Sequence, residues 1–195
     1  AKQSISAEDM KSYFLEYFST TVSSEKLASI EWDKWFYSEG YPVVRNSFDT
    51  SRFDVALKLA EKWVNDEADK TQISIDEWSS NQICLFLDTL LGKDSLPHAT
   101  INELESTYKF TGRKNTEIRF TFLMIALKAN HEEFYPHAIK LATEQGRMKF
   151  TRPLFRSLSK AKNGRQLAVD AFTQHSSQYH LICSRMVAKD LGLSQ

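Results

Sequence analysis

Ser79-Ser80-Asn81-Gln82-Ile83-Cys84-Leu85-Phe86-Leu87-Asp88-Thr89-Leu90-Leu91-Gly92 decides the fold class. Ser79 with Gln82 three residues later has capping-box spacing, in which hydroxyl and amide satisfy orphan N–H groups at a helix start. Ile83, Phe86, Leu87, Leu90 and Leu91 fall at i, i+3, i+4, i+7 and i+8, one face of a helix. Gly92 is a natural stop, because glycine enters the conformation of a helix end without steric cost.

The same grammar repeats outward in both directions. Upstream, Ser6 and Asp9 precede Met10, Tyr13, Phe14, Tyr17 and Phe18 at helical spacing. An aromatic segment, Ile30 to Tyr37, ends at Ser38-Glu39-Gly40-Tyr41-Pro42, a turn or linker signal. A helix is predicted over 50–65, with Ser51 and Asp54 as its capping pair and Phe53, Leu57, Ala60 and Val64 as its stripe. Downstream, Pro97 suits the first turn of a helix carrying Ile101, Leu104 and Tyr108. Asn115 or Thr116 opens a stretch with Ile118, Phe122 and Ile125. Tyr135-Pro136 opens one with Ala138, Ile139 and Ala142, closed by Gly146; Thr151-Arg152-Pro153 opens one with Leu154, Phe155 and Leu158, closed by Asn163-Gly164. The last helical region carries Leu167, Ala168, Ala171 and Phe172, then Ile182, Met186 and Val187. No period-2 alternation reaches strand length. Short loops between amphipathic helices make sequential neighbours antiparallel, so an all-α stack or bundle is expected.

The chain's 195 residues suit one domain, or one plus a fragment, and bury roughly 70% of the unfolded surface without a staple. Lys and Arg number 25 against 25 Asp and Glu, which argues against a wholly cationic nucleic-acid binder. No stretch approaches the ~18 uninterrupted apolar residues of a membrane span. The opening Ala1-Lys2-Gln3-Ser4 has neither an apolar core nor a cleavage signature, so a secretory signal is not expected. It also lacks an initiator Met, which fits processing or a chain excised from something longer. Cys84 and Cys183 lie in apolar runs and are expected to be reduced, buried thiols of a cytoplasmic protein.

Metal and nucleophile chemistry finds no support. His131-Glu132-Glu133-Phe134-Tyr135-Pro136-His137 begins like a zincin motif, but that motif needs the second His four residues after the first. Six residues of helix would set the two rings about 120° apart, and Pro136 interrupts such a helix. A loop and helix start with surface histidines is expected instead. His175, His180 and Cys183 lack a fourth ligand, and no nucleophile elbow or phosphate-cradling glycine loop is present. Trp32, Trp35, Phe36 and Tyr37 could form a binding platform, but an aromatic cluster beside a linker reads first as packing.

The basic segment is different. Arg147, Lys149, Arg152, Arg156, Lys160, Lys162 and Arg165 follow one another with no Asp or Glu between them. The neutral total therefore conceals a sorted charge. One reading is a solvated face, with Lys and Arg near a helix C-terminus where they suit the dipole. The other is an anion site. Arg147 follows Gly146 in a tight connection, where a guanidinium presents a planar fork to a carboxylate. Lys149 would add a second charge. Nucleic acid is the weaker option, since few phosphates could be neutralised.

Residues 142–155, Ala-Thr-Glu-Gln-Gly-Arg-Met-Lys-Phe-Thr-Arg-Pro-Leu-Phe, resemble the signature of the leukotriene A4 hydrolase C-terminal domain, shared with zinc aminopeptidases such as aminopeptidase B. The resemblance extends to Asn115-Thr116-Glu117-Ile118-Arg119-Phe120 and Met186-Val187-Ala188-Lys189-Asp190-Leu191. Upstream, Trp32 to Gly40 looks like the end of that family's catalytic domain.

This resemblance implies a two-layer α-α superhelix, an armadillo- or HEAT-like stack of about nine helices, over 49–195. It further implies a linker over 41–48 and the C-terminal end of the peptidase catalytic domain over 1–40. It implies a cytoplasmic zinc metallo-aminopeptidase, with or without epoxide hydrolase activity. The C-terminal domain would line the active-site cleft, with the catalytic domain of the same polypeptide as its partner. In the family, the arginine of the Gly-Arg-Met-Lys-Phe motif binds the substrate carboxylate and the lysine two residues on assists. Here these are Arg147 and Lys149, and the substrate would be a peptide or a fatty-acid-derived carboxylate. The family's His-Glu-x-x-His motif, distal Glu and catalytic Tyr have no counterpart in this sequence. This chain alone is therefore expected to hold no catalytic residue, bind no zinc and cleave nothing. The competing expectation is a free-standing helical-repeat scaffold that binds an acidic protein partner.

Overall fold

The computed structural model describes residues 4–193. Ala1-Lys2-Gln3, part of the opening that does not read as a secretory signal, lies outside the described residues. The chain divides into two compact units between Asp49 and Thr50.

The first unit holds α1 (Ala7–Phe18), α2 (Ser24–Ala28) and α3 (Trp32–Tyr37). The capping box forms as the sequence predicts. The Asp9 N–H donates to Ser6 Oγ at 3.1 Å, and the Ser6 N–H donates to Asp9 Oδ2 at 2.9 Å. The aromatic segment packs on α1, with Trp32 edge-on to Phe14 at 5.3 Å and 5.4 Å from Phe36. Yet none of these three helices buries a residue, and Tyr13 and Tyr17 remain more than two-thirds exposed.

The second unit holds α4 (Ser51–Val64), α5 (Ser80–Gly92), α6 (His98–Tyr108), α7 (Thr116–Lys128), α8 (Tyr135–Thr143), α9 (Met148–Lys160), α10 (Arg165–His175) and α11 (Leu181–Asp190). Among the described residues these are eight α-helices with no strand, joined by short loops and single 3₁₀ turns except for the longer connection over 65–79 between α4 and α5. They form two layers. Helices α5, α7, α9 and α11 adjoin in series, while α4, α6, α8 and α10 flank them, α8 also adjoining α10. Each αα-hairpin reverses direction, so the N-termini of the first series share one edge. An ion pair between Lys149 and Glu117 joins two of those N-termini. Helix α7 lies centrally. It buries Ile118, Phe122, Leu123, Ile125 and Leu127 in several directions, as expected of a helix packed on both sides.

Three readings need correction. Helix α4 buries Ala56, Leu59, Ala60 and Trp63, whereas Phe53, Leu57 and Val64 of the predicted stripe are exposed. Both sets have helical spacing, and Trp63 settles the choice by entering the core, where its indole donates to Tyr108 Oη at 3.3 Å. Helix α9 starts at Met148, three residues before the Thr-Arg-Pro that was expected to open it. Pro153 costs α9 the hydrogen bond to the Lys149 carbonyl, in its first turn. Phe150, Thr151, Leu154, Phe155 and Leu158 still form one continuous buried face through it. In α11, Ile182 is exposed, and Cys183, Val187 and Ala188 carry the contact.

Candidate functional site

The connection between α8 and α9 is three residues long after its cap, Gln145-Gly146-Arg147. Arg147 is the N-cap of α9, in an extended conformation (φ −71°, ψ 114°). Its carbonyl accepts from the N–H groups of Phe150 at 2.9 Å and Thr151 at 3.1 Å, the first bonds of the helix. Its own N–H donates to Gln145 Oε1 at 2.7 Å. The guanidinium projects to solvent, its carbon 5.4 Å from the centre of the Phe150 ring. Beneath the loop lies Tyr179, 3.9 Å from where a Gly146 side chain would begin. The Tyr179 hydroxyl donates to the Ala142 carbonyl at 3.0 Å. Burial, with a smaller contribution from Cys183, pushes this phenol up to about 12, so it stays a neutral donor.

The other basic residues of the segment are largely committed. Lys149 pairs with Glu117 at the start of α7. Arg152 grips Asp190 through Nε and Nη2, the latter at 3.1 Å, and Arg156 lies 3.7 Å from the same carboxylate. Chiefly through the Arg152 hydrogen bonds, Asp190 is held below the usual carboxylate range. Arg165 donates to the Leu191 carbonyl at 3.0 Å, capping α11. Lys160 occupies the last turn of α9, where a cation suits the dipole. Next to the loop, Arg119 pairs with Glu144. Among the described residues, Arg147 forms no ion pair with a carboxylate, and it sits at the positive end of its helix.

The dipole explanation therefore accounts for Lys160 but not for Arg147 or Lys149. Cations at a helix N-terminus are disfavoured by a few tenths of a kcal/mol or more, whereas an anion there is favoured. Chemically, the loop offers an uncommitted planar fork beside a helix start, with a second, paired cation two residues on.

The histidines do something else. His131 is buried, not at the surface as expected. Asn130, in the left-handed conformation (φ 55°), turns the chain after α7 and sends His131 back under α6. There its ring stacks on His98 at 4.2 Å, and its Nε2 bonds Asn102 Oδ1 at 2.8 Å. His98 Nε2 bonds the Ala129 carbonyl at 2.8 Å. His137 stays at the surface, His175 bonds the Ala171 carbonyl, and His180 caps α11. No three His, Cys, Asp or Glu side chains among the described residues could hold a metal ion. Nor is any helix among them long and apolar enough to cross a membrane.

The sequence places Gln145, Thr151 and Glu117 within the matched stretches but assigns none of them a role at this loop. Glu117 and Lys149 are 32 positions apart, and no local period links them.

Residues 78–191 match the family model described as "Leukotriene A4 hydrolase, C-terminal". The chain is 34% identical over 198 aligned residues to leukotriene A-4 hydrolase of Xenopus laevis, covering all of this chain and 32% of that protein. It is 36% identical to leucine aminopeptidase 2 of Neurospora crassa, covering all of this chain and 29% of the relative. The native yeast LTA4 hydrolase structure superposes with a TM-score of 0.85 at 29% identity, covering 99% of this chain and 34% of that one. The chain thus spans about a third of the length of the curated relatives it matches.

Proposed function

This chain belongs to the leukotriene A4 hydrolase C-terminal family, and from that premise we propose that it is the substrate-recognition portion of a longer aminopeptidase, with Arg147 anchoring the substrate carboxylate. The observation that carries the reading is the uncommitted guanidinium of Arg147 at the start of α9, whereas Lys149, Arg152, Arg156 and Arg165 of the same segment are paired or hydrogen-bonded. A guanidinium binds a carboxylate with two parallel charge-assisted hydrogen bonds, which orient as well as hold it. Fixing one end of a peptide in this way converts binding energy into alignment of the bond to be cut. Lys149, already paired with Glu117, contributes a weaker long-range attraction.

In this reading zinc supplies Lewis-acid chemistry in the other two-thirds of the polypeptide. The residues described here do not fit a zinc site, so this chain's part is to bind and orient. The unburied aromatic face of α1, with Tyr13 and Tyr17 largely exposed, supports assigning the first unit to the tail of a catalytic domain that covers it.

The test is Arg147→Ala in the intact enzyme, assayed on a tripeptide with a free carboxylate and on the same peptide amidated at its C-terminus. Loss of the anchor should lower kcat/KM for the free acid by about 100-fold or more. Arg147→Lys should recover only part, because a point charge lacks the fork. Equal free-acid kinetics in wild type and Arg147→Ala would defeat the assignment.

A further inference from the structure

We propose that Gln145 and Thr151 form a clamp that sets the direction of Arg147, making Gln145 a positioning residue for carboxylate recognition. The inference rests on the reading of Arg147 above. Gln145 spends its whole side-chain amide on this loop. Its Oε1 accepts from the Arg147 N–H at 2.7 Å. Its Nε2 donates to the Leu141 carbonyl at 3.2 Å and to Thr151 Oγ1 at 3.1 Å. The Thr151 hydroxyl, on a residue with 0% exposure, donates to the Gln145 carbonyl at 3.3 Å.

One amide therefore ties the last turn of α8, the loop and the first turn of α9. A glutamine used only to end α8 would need no more than its bond to Leu141. The bond to the Arg147 N–H does something further, because it fixes the peptide plane from which the arginine side chain departs. Gly146 leaves the loop two flexible torsions at that point, and glycine alone does not restrain them. Tyr179 closes the loop from below and Phe150 shelves the guanidinium from the side. With the backbone held, the fork reaches the carboxylate without first ordering its own base, which is the condition for a bidentate contact.

The readout is the ratio of kcat/KM for the free-acid tripeptide to that for its amide, in the intact enzyme. Gln145→Ala should lower this ratio about five- to tenfold through KM, the loss expected for a hydrogen bond acting on position. Thr151→Val, which keeps the volume and removes the hydroxyl, should lower it about two- to threefold. Thr151→Ser should restore it. In an Arg147→Ala background, Gln145→Ala should leave the ratio where Arg147→Ala put it, because the clamp acts only through the arginine. A Gln145→Ala effect of equal size on acid and amide, or one that adds in full to Arg147→Ala, overturns the clamp while leaving the anchor standing. An Arg147→Ala ratio equal to wild type defeats the anchor itself, and the clamp with it. Should Gln145→Ala fail to fold, the Thr151 pair decides by the same ratio.

Discussion

Helix α9 has basic residues at both ends, and the surroundings treat them differently. At its C-terminal end, Lys160 lies in the last turn beside a cavity of about 380 Å³ floored by Leu91, Met124 and Leu127. The other lysine there, Lys128, donates to the carbonyls of Leu91 and Lys93 and so completes the end of α5. Asn130 accepts from the Lys162 N–H at 2.7 Å, and the Tyr135 hydroxyl donates to the Lys162 carbonyl at 2.8 Å. Polar groups at this end are spent on helix termini. At the N-terminal end, Arg147 faces solvent against its own dipole. The described cavity and the uncompensated charge therefore lie at opposite ends of one helix. Charge is the better guide here, because Lys160 suits the dipole at its end and Lys128 completes α5, whereas the charge of Arg147 opposes its own helix.

Breaking this comparison is simplest by charge removal at both ends. Arg147→Ala is expected to lower free-acid kcat/KM by about 100-fold or more, whereas the double change Lys160→Ala and Lys162→Ala should alter it by less than about twofold. Peptidase kinetics on the two variants would reverse the assignment of roles if the lysine pair proved the more damaging.

The middle-sized effect should be on stability alone. A side chain at Gly164 would meet the Leu158 carbonyl oxygen at 2.2 Å, with the Leu158 methyl at 3.1 Å. That carbonyl belongs to the end of α9 and already accepts from the Ala161 N–H at 3.1 Å. Gly164→Ala must push the α9–α10 turn apart, and should cost about 1–3 kcal/mol, read as a lower urea midpoint. The acid-to-amide ratio should not move. A shifted ratio with an unchanged midpoint would mean that the C-terminal end of α9 communicates with the substrate.

Much of this architecture was legible because local rules agreed with the global packing. In α5 a capping box, a single apolar face and a terminal glycine all gave one answer, and Ile83, Phe86, Leu87 and Leu90 are buried as that answer requires. In α4 they did not agree. Two apolar stripes of equal period run along it, and the packing of α4 on α5, with Trp63 donating to Tyr108 of α6, selects between them. The preference of Pro153 for a first turn predicts a later start for α9 than the one found, and the burial of Phe150 outweighs that preference. At the site, Arg147 stands out from its neighbours by charge and by the preceding glycine. Gln145, Thr151 and Glu117 carry ordinary composition, and their roles appear only when α7, α8 and α9 are brought together.

The smallest expected effect sharpens the view that the C-terminal edge is structural. His131 sits in the α7–α8 turn, one residue from the Asn130 that holds Lys162. Burial, with a smaller contribution from His98, holds its pKa below the usual value, while Glu133, 3.9 Å from Nε2, opposes the shift. The neutral ring is thus the folded form, and its Nε2 is engaged with Asn102. Unfolded, the ring takes up a proton near pH 6.5, so between that pH and the lower folded value the unfolded chain holds more protons. Stability is full above about pH 6.5 and declines as the pH falls toward the folded pKa. Hydrogen exchange of α6 and α7 amides should show protection declining from pH 7 to pH 5.5, beyond the intrinsic pH dependence of exchange. His131→Gln, which keeps a neutral donor for Asn102, should flatten that decline. The substrate ratio, carried at the other edge, should have the same pH dependence in both proteins. Identical protection profiles would remove His131 from the account. A ratio that follows His131 would join the two edges into one functional unit, and the contrast between the ends of α9 would no longer hold.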